Sequence, residues 1–150
     1  MHQADSPLAT EFITRQALPE SPCIEFRRVR TQRAADTTET PCIVFLHEGL
    51  GSVAAWRDFP DQLCAASGLD GLVYSRPGYG RSTPRAPGEH WDARYLHRQA
   101  LEVLPALLAA LGIHRPWLFG HSGATIALLH AAAFPEAVAG CGVSPLDDRG

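Results

Sequence analysis

Two stretches near the start of the chain alternate apolar and polar positions, Glu11–Arg15 and Cys23–Arg30. Each predicts a half-exposed, edge-like strand, and Pro19 and Pro22 break between them. Past a polar turn at Ala34–Thr40 the pattern changes. Cys42–Leu46 is continuously apolar, as a strand buried on both faces requires. It ends in His47-Glu48-Gly49-Leu50-Gly51-Ser52, and a helix is predicted from Val53 or Trp56 to Ala66. Leu72–Tyr74 predicts another buried strand, followed by a turn-rich loop at Ser75–Ser82 and an irregular Pro-rich stretch at Thr83–Gly88. Trp91–Leu111 carries the clearest helical period: Ala100, Val103, Leu104, Leu107, Leu108 and Leu111 fall on one face. Pro105 lies inside it and should kink it or mark a junction, and Gly112 ends it.

The next stretch, Pro116 to Ala127, begins as a short apolar run, turns on small residues and becomes an Ala/Leu-rich helix that Pro135 stops. Val138–Val143 is the last strand candidate. Edge-like strands followed by strand–helix repeats predict an α/β fold: three layers, α/β/α, around a mostly parallel sheet. No repeat or linker divides the chain, so residues 1–150 read as one domain, with a loose leader at 1–8 and an irregular tail at 144–150.

Composition narrows the function classes. The chain of 150 residues is 45% hydrophobic and 19% charged, which is globular rather than disordered. Its net charge of −3 offers no basic field for nucleic acid or an anionic membrane. Cys23, Cys42, Cys64 and Cys141 are scattered with no C-x-x-C pair, which argues against a zinc or redox site. The N-terminus lacks the pattern of a signal peptide, and no segment is long and apolar enough to span a bilayer. The expectation is a cytoplasmic chain with free thiols, no cofactor, no nucleic-acid or membrane partner, and a small-molecule substrate if it is active.

Chemistry concentrates at Gly120-His121-Ser122-Gly123-Ala124. A strand that reverses sharply into a helix strains the residue at the bend and demands small neighbours two positions away. Gly120 and Ala124 meet that demand. Ser122 would then project at the carboxyl end of the strand, and the N–H groups at the start of the helix, Gly123 first, would face an oxyanion. This is a nucleophile-elbow pattern with alanine in place of the last glycine.

Three motifs in order resemble the N-terminal portion of the α/β-hydrolase family, over roughly Phe12 to Val143. They are the elbow, His47–Ser52 at the place of the family's His-Gly oxyanion loop, and Ser75-Arg76-Pro77-Gly78-Tyr79-Gly80-Arg81-Ser82, similar to its Asp-Arg-Pro-Gly-Tyr-Gly-x-Ser loop. The resemblance implies a truncated α/β-hydrolase fold and acyl hydrolysis, ester-type or related, by Ser122. The second oxyanion N–H would come from Gly49, and His47 would pack the loop. Glu48 stands where the family has glycine. Ser75 stands where it has aspartate, a position read as structural rather than chemical.

The family's triad runs Ser, acid, His in chain order. After Ser122 the chain holds one histidine, His130, about 12 Å along the helix at ~1.5 Å per residue. It reads as a packed or surface residue, not a base. Asp147 and Asp148 follow the last strand candidate and could supply an acid or a solvated tail. The abrupt polarity of that tail reads as a shifted or prematurely stopped frame. The expectation is therefore weak or absent turnover. Two alternatives stay open. One is a non-catalytic remnant or half-domain completed by a partner chain, prone to self-association through exposed apolar surface. The other is a dinucleotide-binding domain, since Gly49-Leu50-Gly51-Ser52-Val53-Ala54 fits G-x-G-x-x-A after a strand.

Overall fold

A computed structural model of the chain describes residues 10–14, 22–31, 41–121 and 124–144. Its strands are β1 (Glu11–Thr14), β2 (Cys23–Val29), β3 (Cys42–Leu46), β4 (Asp70–Tyr74), β5 (Trp117–His121) and β6 (Gly140–Ser144). They form one sheet in the order β1-β2-β4-β3-β5-β6. β2 pairs antiparallel with β1 and β4, while the β4–β3, β3–β5 and β5–β6 pairings are parallel. β3 is central and buried at every position, as its unbroken apolar run requires.

Alternation along β3 divides the core. Val44 and Leu46 join Leu104, Leu107, Leu118 and Ile126 on one face. Ile43 and Phe45 join Val53, Cys64 and Val73 on the other. The second face is covered by α1 (Phe59–Ser67). The first is covered by α2 (Tyr95–Arg98), a π-helical turn (Gln99–Val103), α3 (Leu104–Leu111) and α4 (Ala124–Ala133). The three predicted layers are present.

Four local readings are corrected. The helix after β3 does not begin at Val53 or Trp56. A 3-10 turn, Ala54–Trp56, comes first, and Arg57 with φ of 52° breaks it from α1. The long helix starts at Tyr95 rather than Trp91, and its predicted junction is the π turn, where Leu104 N–H reaches back five residues to Gln99 O. The last strand runs from Gly140 to Ser144 instead of Val138 to Val143. Finally, β2 is not an edge-like, half-exposed strand. Its polar positions Glu25 and Arg27 are buried, because α1 and the loop after β4 cover that face.

Strand order fixes where chemistry can sit. From β3 the chain moves to β4 on one side, then crosses back to β5 on the other. In open α/β sheets ligands bind beside the carboxyl ends of strands at such a reversal. Here those ends carry His47–Ser52 after β3 and the Ser122-Gly123 link after β5.

Candidate functional site

The loop after β3 is held by two side chains. Neutral imidazole has one donor and one acceptor nitrogen, and both are used by His47. Nδ1–H donates to Glu48 O at 2.7 Å, and Nε2 accepts the Arg76 backbone N–H at 3.0 Å. Burial first, and the Arg76 charge second, hold the His47 pKa down at about 4, so the ring is neutral at pH 7. Arg76 is 3% exposed and clamps the same loop. Its Nη1 donates to His47 O at 2.6 Å and its Nη2 to Glu48 O at 3.3 Å, with the guanidinium 4.9 Å from the Tyr79 ring centroid. No carboxylate pairs with Arg76 among the described residues. His47 therefore packs the loop as the resemblance implies.

The two glycines of that loop differ. A Cβ on Gly51 would lie 2.8 Å from His47 Cβ, so glycine is required there by the loop's own packing. A Cβ on Gly49 would meet nothing within 4 Å, and among the described residues no acceptor takes the Gly49 N–H. The glycine pair thus serves a tight turn, closed by Gly51 N–H donating to Glu48 O at 3.0 Å. A dinucleotide fingerprint would open directly into a helix. Here α1 begins only at Phe59, so the fingerprint has no helix N-terminus for a pyrophosphate.

Across the crevice, β5 ends at His121 and α4 begins at Ala124. Ser122 and Gly123, the elbow residues, lie outside the described residues, as do Asp147 and Asp148. His121 Nε2 stands 4.0 Å from Glu48 Oε2, so the end of β5 and the loop after β3 face each other. His47, Glu48, Gly51, Ala55, Trp56 and His121 line a cleft of about 50 Å³ there. A roomier cleft of about 240 Å³ lies away from it, walled by Trp91, Tyr95 and Gln99.

His130 is buried at 2% exposure rather than on the surface. Its Nδ1–H donates to Ala100 O at 2.8 Å. Pro105 has no N–H, and in the five-residue spacing that Leu104 follows, Ala100 is the carbonyl it would have paired. His130 supplies the missing donor through Nδ1, while its Nε2 is buried with no hydrogen-bond partner among the described residues. The four cysteines are free thiols; burial pushes Cys42 up to about 12 and Cys64 to about 11, so neither is a ready nucleophile.

Sequence reasoning missed Glu25. It is 3% exposed, and its Oε1 accepts the Ser75 hydroxyl at 2.9 Å. Ser75 Oγ in turn accepts Val53 N–H at 2.9 Å, and Ser82 Oγ donates to Ser75 O at 2.6 Å. Ser75 is thus a junction between β2, the loop after β3 and the loop after β4. The signal was available in outline: a carboxylate in β2 and a missing one at position 75. Only the pairing of β2 with β4 shows that they meet.

A family model described as alpha/beta hydrolase fold matches residues 41–142. No curated protein matches the chain. Among solved structures, a probable hydrolytic enzyme from Pseudomonas aeruginosa aligns with a TM-score of 0.74 at 21% identity, over 93% of this chain and 42% of that one. Proline iminopeptidase from Mycobacterium smegmatis aligns at 0.71 and 18%, over 89% and 42%. An alpha/beta hydrolase enzyme from a Medee basin deep-sea metagenome library aligns at 0.67 and 25%, over 89% and 43%. The chain spans less than half the length of these solved structures. With the family match running from β3 into β6, through the loop after β3 and the end of β5 that faces it, the chain belongs to the α/β-hydrolase fold family.

Proposed function

We propose that this chain carries the nucleophile and oxyanion parts of an acyl hydrolase. Ser122 attacks the carbonyl carbon of an ester-type or related substrate, and the N–H groups of Gly123 and Gly49 receive the developing oxyanion. The observation that supports this best is the Gly49 amide. It sits in a loop pinned by His47 and Arg76, facing the end of β5, and it has no acceptor among the described residues.

In this reading His47, His121 and His130 do not take the Ser122 proton. His47 uses both ring nitrogens in its loop, His121 faces Glu48, and His130 is buried about 12 Å along α4 from the elbow with its Nδ1–H on Ala100 O. A hydrolase lacking one triad member keeps roughly 10³–10⁴ over water from its oxyanion hole and binding. The cleft at the loop is also far below the ~300–1,000 Å³ of small-molecule sites, so the described residues alone do not enclose a substrate. We therefore expect slow p-nitrophenyl acetate hydrolysis that Ser122→Ala removes. Brisk, Ser122-dependent turnover would show that a base is present in the chain. Hydrolysis unchanged in Ser122→Ala would reject the assignment.

Among the described residues no strand pairs with the outer side of β6, which favours a second reading, a half-domain that is completed by a partner chain or that pairs with itself. Val143 on that strand is 51% exposed, and Leu128 on the adjoining helix α4 is 58% exposed. No helix among the described residues is long and apolar enough to cross a membrane.

A further inference from the structure

One carbonyl in the loop after β3 is unusually loaded. Glu48 O takes three donors: His47 Nδ1–H at 2.7 Å, Gly51 N–H at 3.0 Å and Arg76 Nη2 at 3.3 Å. A carbonyl oxygen has two lone pairs, so three donors exceed ordinary saturation. One of the three is a cation, and it is buried with no carboxylate to neutralise it among the described residues. Buried charges are ordinarily paired, because leaving water is costly. The Arg76 charge is met instead by loop carbonyls and the face of Tyr79.

Glu48 O belongs to the same planar peptide as the Gly49 N–H. Resonance couples the two ends: donors at the oxygen raise C–N double-bond character and leave the N–H more positive. We propose that Arg76 and His47 are positioning residues that polarise the Glu48–Gly49 peptide, so that the Gly49 N–H is a stronger oxyanion donor than an ordinary amide. This rests on the acyl-hydrolase reading above. It gives the buried arginine a role beyond holding the loop's shape, and it offsets the carboxylate that Glu48 brings to an oxyanion loop. The low pKa of His47 fits this arrangement, since a neutral ring can accept from Arg76 N–H and donate to Glu48 O at once.

The test compares wild type with Arg76→Gln, which is neutral but keeps a donor, and Arg76→Lys, which keeps the charge. In amide proton–nitrogen spectra the Gly49 proton should move upfield in Arg76→Gln and return part of the way in Arg76→Lys, with the Val44 amide unmoved in both. With p-nitrophenyl acetate, kcat should fall about tenfold in Arg76→Gln, a fraction of the ~10²–10³ lost with a whole oxyanion donor. KM should stay within twofold, and lysine should recover most of kcat. A Gly49 proton in the same place in all three proteins overturns the proposal, as does a loss that appears in KM instead of kcat. If Arg76→Gln does not fold, Arg76→Lys decides alone: a smaller upfield shift with Val44 unmoved supports it, and no shift overturns it. If hydrolysis survives Ser122→Ala or is absent, the acyl-hydrolase reading fails, and the amide proton still judges the polarisation separately.

Discussion

Ser75 Oγ lies 2.9 Å from Glu25 Oε1, with both groups buried, so the hydroxyl is a donor to a carboxylate that has few other partners. Arg81 adds a backbone N–H at 3.4 Å and a guanidinium Nε at 3.9 Å from the same carboxyl group. The family pattern that the loop resembles has aspartate at position 75. Here that residue would place a second carboxylate against Glu25. Two carboxylates about 3 Å apart cannot both ionise without penalty. Ser75→Asp should therefore destabilise the chain by about 4 kcal/mol at pH 7, the scale of one like-charge contact at about 4 Å and an effective dielectric near 20. Adding Glu25→Gln should recover most of the loss. Urea unfolding of the single and double variants checks both; equal losses in the two would show that volume rather than charge is at fault.

At the scale of elements, the helical stretch from Tyr95 to Leu111 shows how one residue's missing N–H reaches across the fold. Pro105 cannot donate, the turn before it widens, and a histidine from α4 donates to Ala100 O. Replacing His130 by leucine removes that donor and should cost about 1–3 kcal/mol, the penalty for an unpaired buried carbonyl. In a Pro105→Ala background the new N–H at position 105 has Ala100 O within its register. The same His130→Leu change should then cost about 1 kcal/mol less, a coupling that a double-mutant cycle measures. Additive losses would mean that His130 acts through packing alone. Helical periodicity placed the helix and Pro105 marked the junction. Nothing in either stretch announced that residues 100 and 130 are partners, because hydrogen bonding between elements leaves no periodic trace in sequence.

For the whole molecule, the order β4-β3-β5 places the carboxyl ends of β3 and β5 side by side. Among the described residues β6 is the outermost parallel strand, without a Lys, Arg or Pro in Gly140–Ser144 to discourage pairing. Val143 on this strand and Leu128 on the neighbouring helix α4, exposed by 51% and 58%, add apolar surface beside it. We expect the sedimentation coefficient to rise with concentration in the micromolar range, and the double variant Val143→Lys, Leu128→Lys to suppress the rise. A coefficient that stays constant in wild type would count against the half-domain reading.

Local chemistry was legible before the fold. The unbroken apolar run at Cys42–Leu46 could only be a strand covered on both faces, and the glycines and prolines marked where the chain turns. Three motifs in order were enough for the family, because each reflects a backbone demand met by neighbours in sequence. The tertiary structure decided what depends on partners distant in the chain. Alternation in β2 reads as polar-out, yet Glu25 and Arg27 are interior because Ser75 and Asp61 arrive from elsewhere to satisfy them. His130 could not be placed from its spacing, since its acceptor lies thirty residues away. The three donors gathered on Glu48 O come partly from a residue twenty-eight positions further along the chain, and only folding brings that charge to the loop.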